Sequence, residues 1–342
     1  MNRLGLVFDH RFLHHAIAGP SLENPERIRC LYLHLQQQKD RQAISHVSPR
    51  EATSAEINMV HSSFYVEQLR EHAVKADPYS YDRDTYIMDD SLPTARLAAG
   101  GCLALAESIM AGDIDYGFSL ARPPGHHATA GRGMGFCLFN NIALTAEYLR
   151  RHYGLRRILI VDFDAHHANG TQEIFYDTNE VLVLSIHEKG LFPFTGEADE
   201  IGAKAGKGYT LNIPVYSQFG DSEYTYLLGR LLQGVVEQYL PQFILVSAGY
   251  DGHRDDSISG TLLTTPWFAT ITHILRKHAA DSCSNRLLYI MEGGYNPAAL
   301  EKSVIATIEA LQQNNFDRPG ILTVPRAEKI LHDHPLHQYW TI

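Results

Sequence analysis

The chain is poor in the features that mark secreted and membrane proteins. It contains only 4 cysteines in 342 residues, and these form no CxxC pair and no dense framework. Scattered thiols of this kind favour a reducing compartment, so we predict a cytoplasmic protein whose cysteines pack as small apolar groups. No apolar run approaches the roughly 20 residues that cross a bilayer. The N-terminal stretch MNRLGLVFDHRF also lacks the pattern of a signal peptide.

Excess positive charge is also missing. The 29 lysines and arginines are outnumbered by 39 aspartates and glutamates, which gives a net charge of −10 with neutral histidines. Nucleic-acid binding through a general basic surface is therefore disfavoured, and we expect neither a nucleic-acid nor a membrane partner. What is abundant is histidine, with 19 copies. The positions of these histidines matter more than their number.

Short apolar runs alternate with helical patterns along the chain. The predicted strands are 115–120, 157–163, 181–187, 243–249 and 287–293. The predicted helices are 95–111, 139–152, 222–239, 266–280 and 297–313. The near-continuous apolar strands are typical of a parallel sheet that is covered on both faces. Further helix starts are indicated by Asn24-Pro25 and Asn296-Pro297. The alternation predicts one doubly wound α/β domain.

Polar side chains cluster where the predicted strands end. These strand ends carry Asp164, His166, His167, Asp251, Tyr295 and the pair His126-His127. In open α/β sheets, sites form beyond the carboxyl ends of the strands. We therefore expect these four strand ends to converge on one crevice.

The segment VDFDAHH has the side chains of a metal site. In an extended chain, Asp162, Asp164 and His166 face the same side. Asp164 and His166 lie nearest the crevice, Asp162 lies one step deeper, and Asp251 would add a third ligand from another strand. Three protein ligands with one open position are typical of catalytic zinc. Two carboxylates and one histidine also suit Mn²⁺ or Fe²⁺, and a solvated strand end stays an alternative.

Two further features could carry acid–base chemistry. His126 and His127 are adjacent and point different ways, so one could take a proton from water and the other could give one to a leaving amine. Asp162 is a candidate partner that would set the tautomer of one of them. Tyr295 could donate a hydrogen bond to a developing oxyanion. Taken alone, an HH pair is weak evidence, and a tyrosine after two glycines more often packs.

At these residues the sequence resembles the histone deacetylase family and its bacterial relatives, the acetylpolyamine amidohydrolases and deacetylase-like amidohydrolases. The matching motifs, in the family's order, are NPERI (24–28), RPPGHHA (122–128), GFCLFNN (135–141), VDFDAHHANGTQEIFY (161–176), LSIH (184–187), SAGYD (247–251) and EGGY (292–295). RPPGHHA and Asn169 look like the class II branch and its bacterial kin. The resemblance implies a single-domain three-layer α/β/α fold over 1–342 with a mainly parallel sheet, the arginase/deacetylase fold.

The resemblance also implies which residues bind metal ions. One zinc ion would be held by Asp164, His166 and Asp251. A structural potassium ion would lie at an inner site formed by Asp162, Asp164, His166, Ser185 and Ile186. A second, outer potassium site would be formed by Phe175, Thr178, Val181 and Tyr209.

Catalytic and channel residues carry over in the same way. His126 would pair with Asp162, His127 would be the general base with Asn169 as its partner, and Tyr295 would polarise the carbonyl. The acyl-lysine channel would be lined by Gly135, Phe136 and Phe192, with Ile258 at the rim.

Two positions depart from the pattern of the family. Ala168 stands where the family usually has glycine, and it would be strained if the position needs a positive φ. Ile258 stands where some polyamine-specific relatives carry a glutamate, which weakens the polyamine reading.

The predicted reaction is zinc-dependent removal of acetyl or other acyl groups from acyl-lysine side chains. An acetylpolyamine or small N-acyl-amine deacetylase is the alternative. A binuclear manganese ureohydrolase is disfavoured because SAGYDGHRDD does not have the DxD arrangement that a second metal needs. A non-catalytic binder of acylated ligands is disfavoured because every expected catalytic position is filled. A homo-oligomer stays open, since the rim loops of one subunit can close the channel of another.

Overall fold

Eight parallel strands form the central sheet of the computed structural model, which describes residues 3–37, 44–74, 79–313 and 320–342. These strands are β1 (Leu4–Val7), β2 (Ile44–His46), β5 (Tyr116–Ser119), β6 (Ile158–Asp162), β7 (Val181–Glu188), β8 (Thr210–Val215), β9 (Phe243–Ala248) and β10 (Leu287–Met291). Their order across the sheet is β2-β1-β5-β10-β9-β6-β7-β8. The short strands β3 (Tyr79–Ser80) and β4 (Tyr86–Ile87) pair separately and antiparallel.

Helices flank this sheet. They are α1 (Glu26–Gln37), α2 (Ser54–Ile57), α3 (Ser63–Ala73), α4 (Ser91–Ala111), α5 (Asn141–Tyr153), α6 (Asn169–Phe175), α7 (Asp221–Tyr239), α8 (Thr265–Ser282), α9 (Pro297–Gln312) and α10 (Pro325–His332). Successive contacts link α1, α9, α8, α7 and α10 into one group, and α3, α4, α5 and α6 into another. Helices of this kind around a parallel sheet confirm the predicted fold class. None of the helices described is both long and apolar enough to span a bilayer.

The four strands whose ends carry the candidate site are neighbours in the sheet. They lie in the order β5, β10, β9 and β6. All of them run in the same direction, so their carboxyl ends open on the same edge. Every residue of β6 is buried, because β9 and β7 pair with its two edges and helices cover the two faces of the sheet. This packing explains why an apolar run leads directly into a polar cluster.

The predicted central strands and long helices are confirmed, whereas the outer strands escaped prediction. β1 and β2 are 4 and 3 residues long, too short for a clear period. β8 is an edge strand that contains Pro214, a residue that a sheet tolerates mainly at its edge.

Both predicted helix starts are present. The Asn24 side chain accepts a hydrogen bond from the Glu26 N–H at 2.9 Å where α1 begins. The Asn296 side chain accepts from the N–H groups of Ala298 and Ala299, each at 3.1 Å, where α9 begins. These side chains satisfy backbone N–H groups that have no partner within the first turn of α1 and α9. The assignment of 1–342 to a single domain stays a prediction, because residues 1–2, 38–43, 75–78 and 314–319 lie outside the described part.

Candidate active site

Three potential metal ligands meet beyond the ends of β6 and β9. Asp164 and His166 lie in the turn after β6, and Asp251 lies just after β9. Nδ1 of His166 is 3.0 Å from Oδ1 of Asp164 and 2.8 Å from Oδ2 of Asp251. One ligand atom from each of the three lies within 4.8 Å of the others, and all three residues are buried. The described part of the chain contains no second cluster of this kind.

Backbone N–H groups hold the two carboxylates in place. Oδ2 of Asp164 accepts a hydrogen bond from the Gly293 N–H at 2.8 Å, and its Oδ1 accepts from the His166 N–H at 2.9 Å. Oδ1 of Asp251 accepts from the Ala165 N–H at 2.9 Å. The buried Oδ2 of Asp251 accepts no well-oriented hydrogen bond from any described residue. A buried carboxylate oxygen without a hydrogen bond, beside a second carboxylate and an imidazole, suits a bound cation.

The electrostatics of this cluster favour a positive charge. Burial and the neighbouring Asp164 carboxylate raise the pKa of Asp251 to about 7. Burial opposes a charge on His166, but the carboxylates of Asp251 and Asp164 outweigh it and raise the pKa of His166 to about 10. A divalent cation would remove this repulsion between the carboxylates. The donor set and the charge therefore fit a bound metal ion.

Space beside the carboxylates depends on glycine. A Cβ atom at Gly293 would lie 2.5 Å from Oδ2 of Asp164 and 2.6 Å from Oδ2 of Asp251. Real Cβ atoms essentially never approach other atoms within 3.0 Å. The absence of a side chain at Gly293 thus leaves both carboxylates free to converge on one point.

The tandem histidines have different partners and different charges. Nδ1 of His126 is 3.0 Å from Oδ2 of Asp162, and Nδ1 of His127 is 2.7 Å from Oδ1 of Asn169. Burial opposes a charge on His126, but Asp162 and then Asp164 raise its pKa to about 10. Burial, with the charges of His126 and His166, holds the pKa of His127 well below its usual value. His127 is therefore neutral near pH 7, while His126 favours its protonated form.

Asn169 determines which nitrogen of His127 is free. The amide oxygen of Asn169 can only accept, so the 2.7 Å contact requires a proton on Nδ1 of His127. Nε2 of the neutral ring is then unprotonated and can accept a proton. Each expected partner, Asp162 and Asn169, therefore lies beside the histidine to which the family resemblance assigned it.

Glu292 positions the histidine pair and was not predicted to do so. Its Oε2 accepts hydrogen bonds from the N–H groups of Gly125 and His126, at 2.6 and 3.1 Å. Burial raises the pKa of Glu292 to about 7, with smaller effects of the opposite sign from His126 and the Gly125 N–H. The sequence signal was available, since Glu292 opens the EGGY motif, but its role depends on contacts 167 and 166 residues away.

Tyr295 is held by two residues that the sequence did not single out. The Asp256 carboxylate accepts a hydrogen bond from the Tyr295 N–H at 2.6 Å. The Arg27 guanidinium lies 4.5 Å from the centre of the Tyr295 ring and donates to the carbonyl of Gly294 at 2.6 Å. Burial raises the pKa of Tyr295 well above its usual value, although Arg27 lowers it, so the phenol stays protonated. Arg27 lies in NPERI, which is one of the matching family motifs and a predicted helix start, but the sequence assigned no role to the arginine itself.

A cavity of about 600 Å³ leads from the surface to these groups. Its lining includes His127, His166 and Tyr295 at the inner end, with Gly135, Phe136, Phe192 and Ile258 around them. A Cβ at Gly135 would lie 2.5 Å from the His127 ring and 2.8 Å from Phe192, and Gly135 has a φ of +55°. All four predicted channel residues therefore line the cavity, and its width at Gly135 requires glycine.

The structure also places Ala168 and three of the predicted potassium ligands. Ala168 has a φ of −75°, so the expected strain is absent. Ser185 lies opposite Asp162 in the pairing of β6 with β7. Phe175 ends α6, and its carbonyl accepts a hydrogen bond from the Thr178 N–H at 3.2 Å.

Val181, Tyr209 and His167 complete this description. Val181 begins β7 and Tyr209 immediately precedes β8, so these two proposed potassium ligands lie at neighbouring strand starts. His167, which had no assigned chemistry, contacts Thr195 and Gln172 instead of the metal cluster.

Comparison with known proteins agrees with this site. The histone deacetylase domain model matches residues 21–311. The chain belongs to the histone deacetylase family. The crystal structure of the HDA15 HD domain superposes with a TM-score of 0.90 at 33% identity, covering 99% of this chain and 95% of that one. The predicted family, and with it the class of hydrolases that act on amide bonds, is confirmed.

Relatives in this family come from several kingdoms. "Histone deacetylase 15" of Arabidopsis thaliana is 37% identical over 90% of this chain and 56% of its own length. A "Probable deacetylase" of Methanothermobacter thermautotrophicus is 41% identical over 79% of this chain and 80% of its own. The "Histone deacetylase-like amidohydrolase" of Pseudomonas aeruginosa is 35% identical over 76% and 68%. The chain thus spans little more than half of the plant protein, whose activity as a whole is not carried over.

Proposed function

We propose that this protein is a zinc-dependent deacetylase that removes acetyl or other acyl groups from lysine side chains. The observation that carries the proposal is the buried cluster of Asp164, His166 and Asp251 at the floor of a cavity that His127 and Tyr295 also line. A metal held there would polarise an acyl carbonyl and lower the pKa of water. The described residues contain one such cluster, which supports a mononuclear site over a binuclear manganese one.

His127 would act as the general base. Its neutral ring presents an unprotonated Nε2, because Nδ1 is engaged by Asn169. It would take a proton from the attacking water as the water adds to the acyl carbon. His126, which the Asp162 carboxylate keeps protonated, adds a positive charge beside it. One of the two tandem histidines then gives a proton to the amine as its bond to the acyl carbon breaks.

Tyr295 would stabilise negative charge on the carbonyl oxygen. Its phenol is protonated near neutral pH, so it can donate a hydrogen bond to that oxygen in the transition state. Phe136 packs beside it, with ring centres 5.4 Å apart. Arg27 and Asp256 fix the loop that carries the tyrosine, so the hydroxyl is positioned before substrate binds.

The channel supports an acyl-lysine substrate. Phe136 and Phe192 would contact the aliphatic part of the lysine side chain, with the acyl group at the floor. Ile258 at the mouth contributes no negative charge for a polyamine. Acetylpolyamines and small N-acyl amines are the competing substrates.

A substrate panel tests this function. The purified protein is stripped of metal, reconstituted with zinc, manganese or iron, and assayed on acetyl-lysine peptides, longer acyl-lysine peptides and acetylated polyamines. We expect zinc-dependent release of the acyl group from lysine peptides, and loss of both zinc and activity in Asp251→Asn. Leu262→Ala, a change at an exposed residue outside the cavity lining, serves as the control. Preference for polyamines, or activity that needs two manganese ions, would overturn the proposal.

Several finer predictions belong to the same proposal. We propose one zinc ion per chain and structural potassium at the inner site, for which Asp162 and Ser185 are neighbours across the sheet. Four features stay predictions: the outer potassium site, the relationship to the class II branch and its bacterial kin, a cytoplasmic location and a homo-oligomer. Elemental analysis for zinc and potassium tests the first two, and light scattering tests the last.

A further inference from the structure

Phe194 has an unusual conformation for its residue type. Its φ is +65°, in the left-handed region that favours glycine, and its side chain is 77% exposed. The turn is closed by a hydrogen bond from the Phe194 N–H to the carbonyl of Leu191 at 2.8 Å. Because most of its side chain is exposed, Phe194 gains little from burial within the chain. Such an outlier is a reason to look for a functional contact.

The position of Phe194 indicates what it contacts. Phe194 and Leu22, which is 50% exposed, line the same cavity as His127 and Tyr295, together with Leu191 and Ile258. We call Leu22, Leu191, Phe194 and Ile258 the apolar mouth. Leu191 and Phe194 lie in the same turn, whereas Leu22 and Ile258 come from distant parts of the chain. Together they form an apolar surface at the entrance of the channel.

The charged residues at the mouth are two acids and one arginine, which leave only a small net negative charge for a polycation. The Asp82 carboxylate already accepts hydrogen bonds from the N–H groups of Asp84, Thr85 and Gly135 at 2.6–3.1 Å. The exposed Asp84 follows Arg83 directly, and both line the cavity, so their charges offset each other. A polyamine would need unpaired carboxylates here. An apolar side chain would instead find four apolar partners.

We propose that Phe194 and Leu22 bind an apolar side chain of the residue next to the acyl-lysine, so that the enzyme selects peptide sites with such a neighbour. The inference rests on the proposed acyl-lysine activity, and it makes Phe194 a specificity-determining residue. The neighbouring side chain lies in the apolar mouth while the acyl-lysine occupies the channel. The apolar surface that both sides lose to water supplies the preference.

The test compares acetyl-lysine peptides that carry glycine, serine, leucine or phenylalanine at each adjacent position. For the wild-type protein we expect kcat/KM to be about five- to thirty-fold higher with leucine or phenylalanine at one of these positions, through KM. Phe194→Asn tolerates a positive φ but removes the ring, so it should lose this preference and keep its activity on the glycine peptide. Phe194→Tyr should retain the preference.

Phe64→Ala is the matched control, because Phe64 is also exposed, at 72%, but does not line the cavity. If Phe194→Asn lost kcat/KM equally on all peptides, Phe194 would be structural and the inference would be refuted. The inference would also be refuted if Phe194→Asn kept the preference unchanged, or if the wild-type protein showed no preference. If the zinc-loaded wild-type protein cleaved no acyl-lysine peptide at all, the proposed function would fail first. Activity without a neighbour preference would refute only the apolar mouth.

Discussion

Gly293→Ala tests the metal site with a single added methyl group. The new Cβ would lie 2.5 and 2.6 Å from the Oδ2 atoms of Asp164 and Asp251, so each carboxylate oxygen must withdraw by about half an ångström to reach the 3.0 Å limit of real contacts. Reaching ordinary contact at 3.4 Å needs almost one ångström. Catalytic and metal-binding groups must be held within about 0.5 Å of their productive geometry. Disturbing the groups that support metal ligands typically costs about 10- to 100-fold in metal affinity.

We therefore expect the zinc affinity of Gly293→Ala to fall by about 100-fold, or about 2.7 kcal/mol. Titration against a chromogenic chelator measures this affinity, and kcat/KM at limiting zinc should fall with it. Gly131→Ala is the control, because a Cβ there meets nothing within 4 Å and its φ is not in the left-handed region. A Gly293→Ala protein that binds zinc within threefold of the wild-type affinity would refute the assigned cluster.

Three other substitutions have expected outcomes. Tyr295→Phe should keep its fold and zinc but lose about 10²–10³ in kcat, because an oxyanion donor is removed. Burial holds the pKa of His127 low in the wild-type protein, and Asn169→Asp places a carboxylate beside this ring that should raise that pKa. The acidic limb of the pH profile of kcat/KM should therefore move to higher pH by about one unit or more. In the wild-type protein the buried Arg122 guanidinium donates a hydrogen bond to the Glu23 carboxylate at 2.6 Å. Glu23→Gln removes this counter-charge and should lower the free energy of unfolding by about 3–5 kcal/mol.

The Glu23 substitution also has a definite pH dependence. Burial alone would raise the pKa of Glu23, but Arg122 and Arg27 hold it below its usual value. The stability from this pair is therefore fully present above the unfolded pKa and is lost as pH falls through the lower folded pKa. Chemical denaturation at several pH values should show the wild-type advantage over Glu23→Gln shrinking only in acid. A constant difference down to the folded pKa and below would contradict the ion pair.

The other two predictions have their own contrary outcomes. Near-normal turnover of Tyr295→Phe would remove the tyrosine from the mechanism. An acidic limb that stays in place in Asn169→Asp would mean that His127 is not the base that this limb reports.

The central part of the fold could be predicted because its signals are local. β6 and β9 are buried on both faces, so their sequences are continuously apolar, and α9 carries its own Asn-Pro start. β1 and β2 were missed because strands of 4 and 3 residues are set by their neighbours in the sheet. α6 was missed because 7 residues give too few turns for a helical period.

The candidate site was likewise predictable where its signals are local in the sequence. The sequence by itself determined the three candidate metal ligands and the histidine pair, because residues of those types follow strand ends in recognisable motifs. Only the tertiary structure decided which strands are neighbours, and so which side chains meet. It brought Arg27 over Tyr295, Glu292 under the histidine loop and Phe194 to the mouth of the channel. These contacts join residues far apart in the chain, or depend on a φ angle, and neither leaves a local pattern in the sequence.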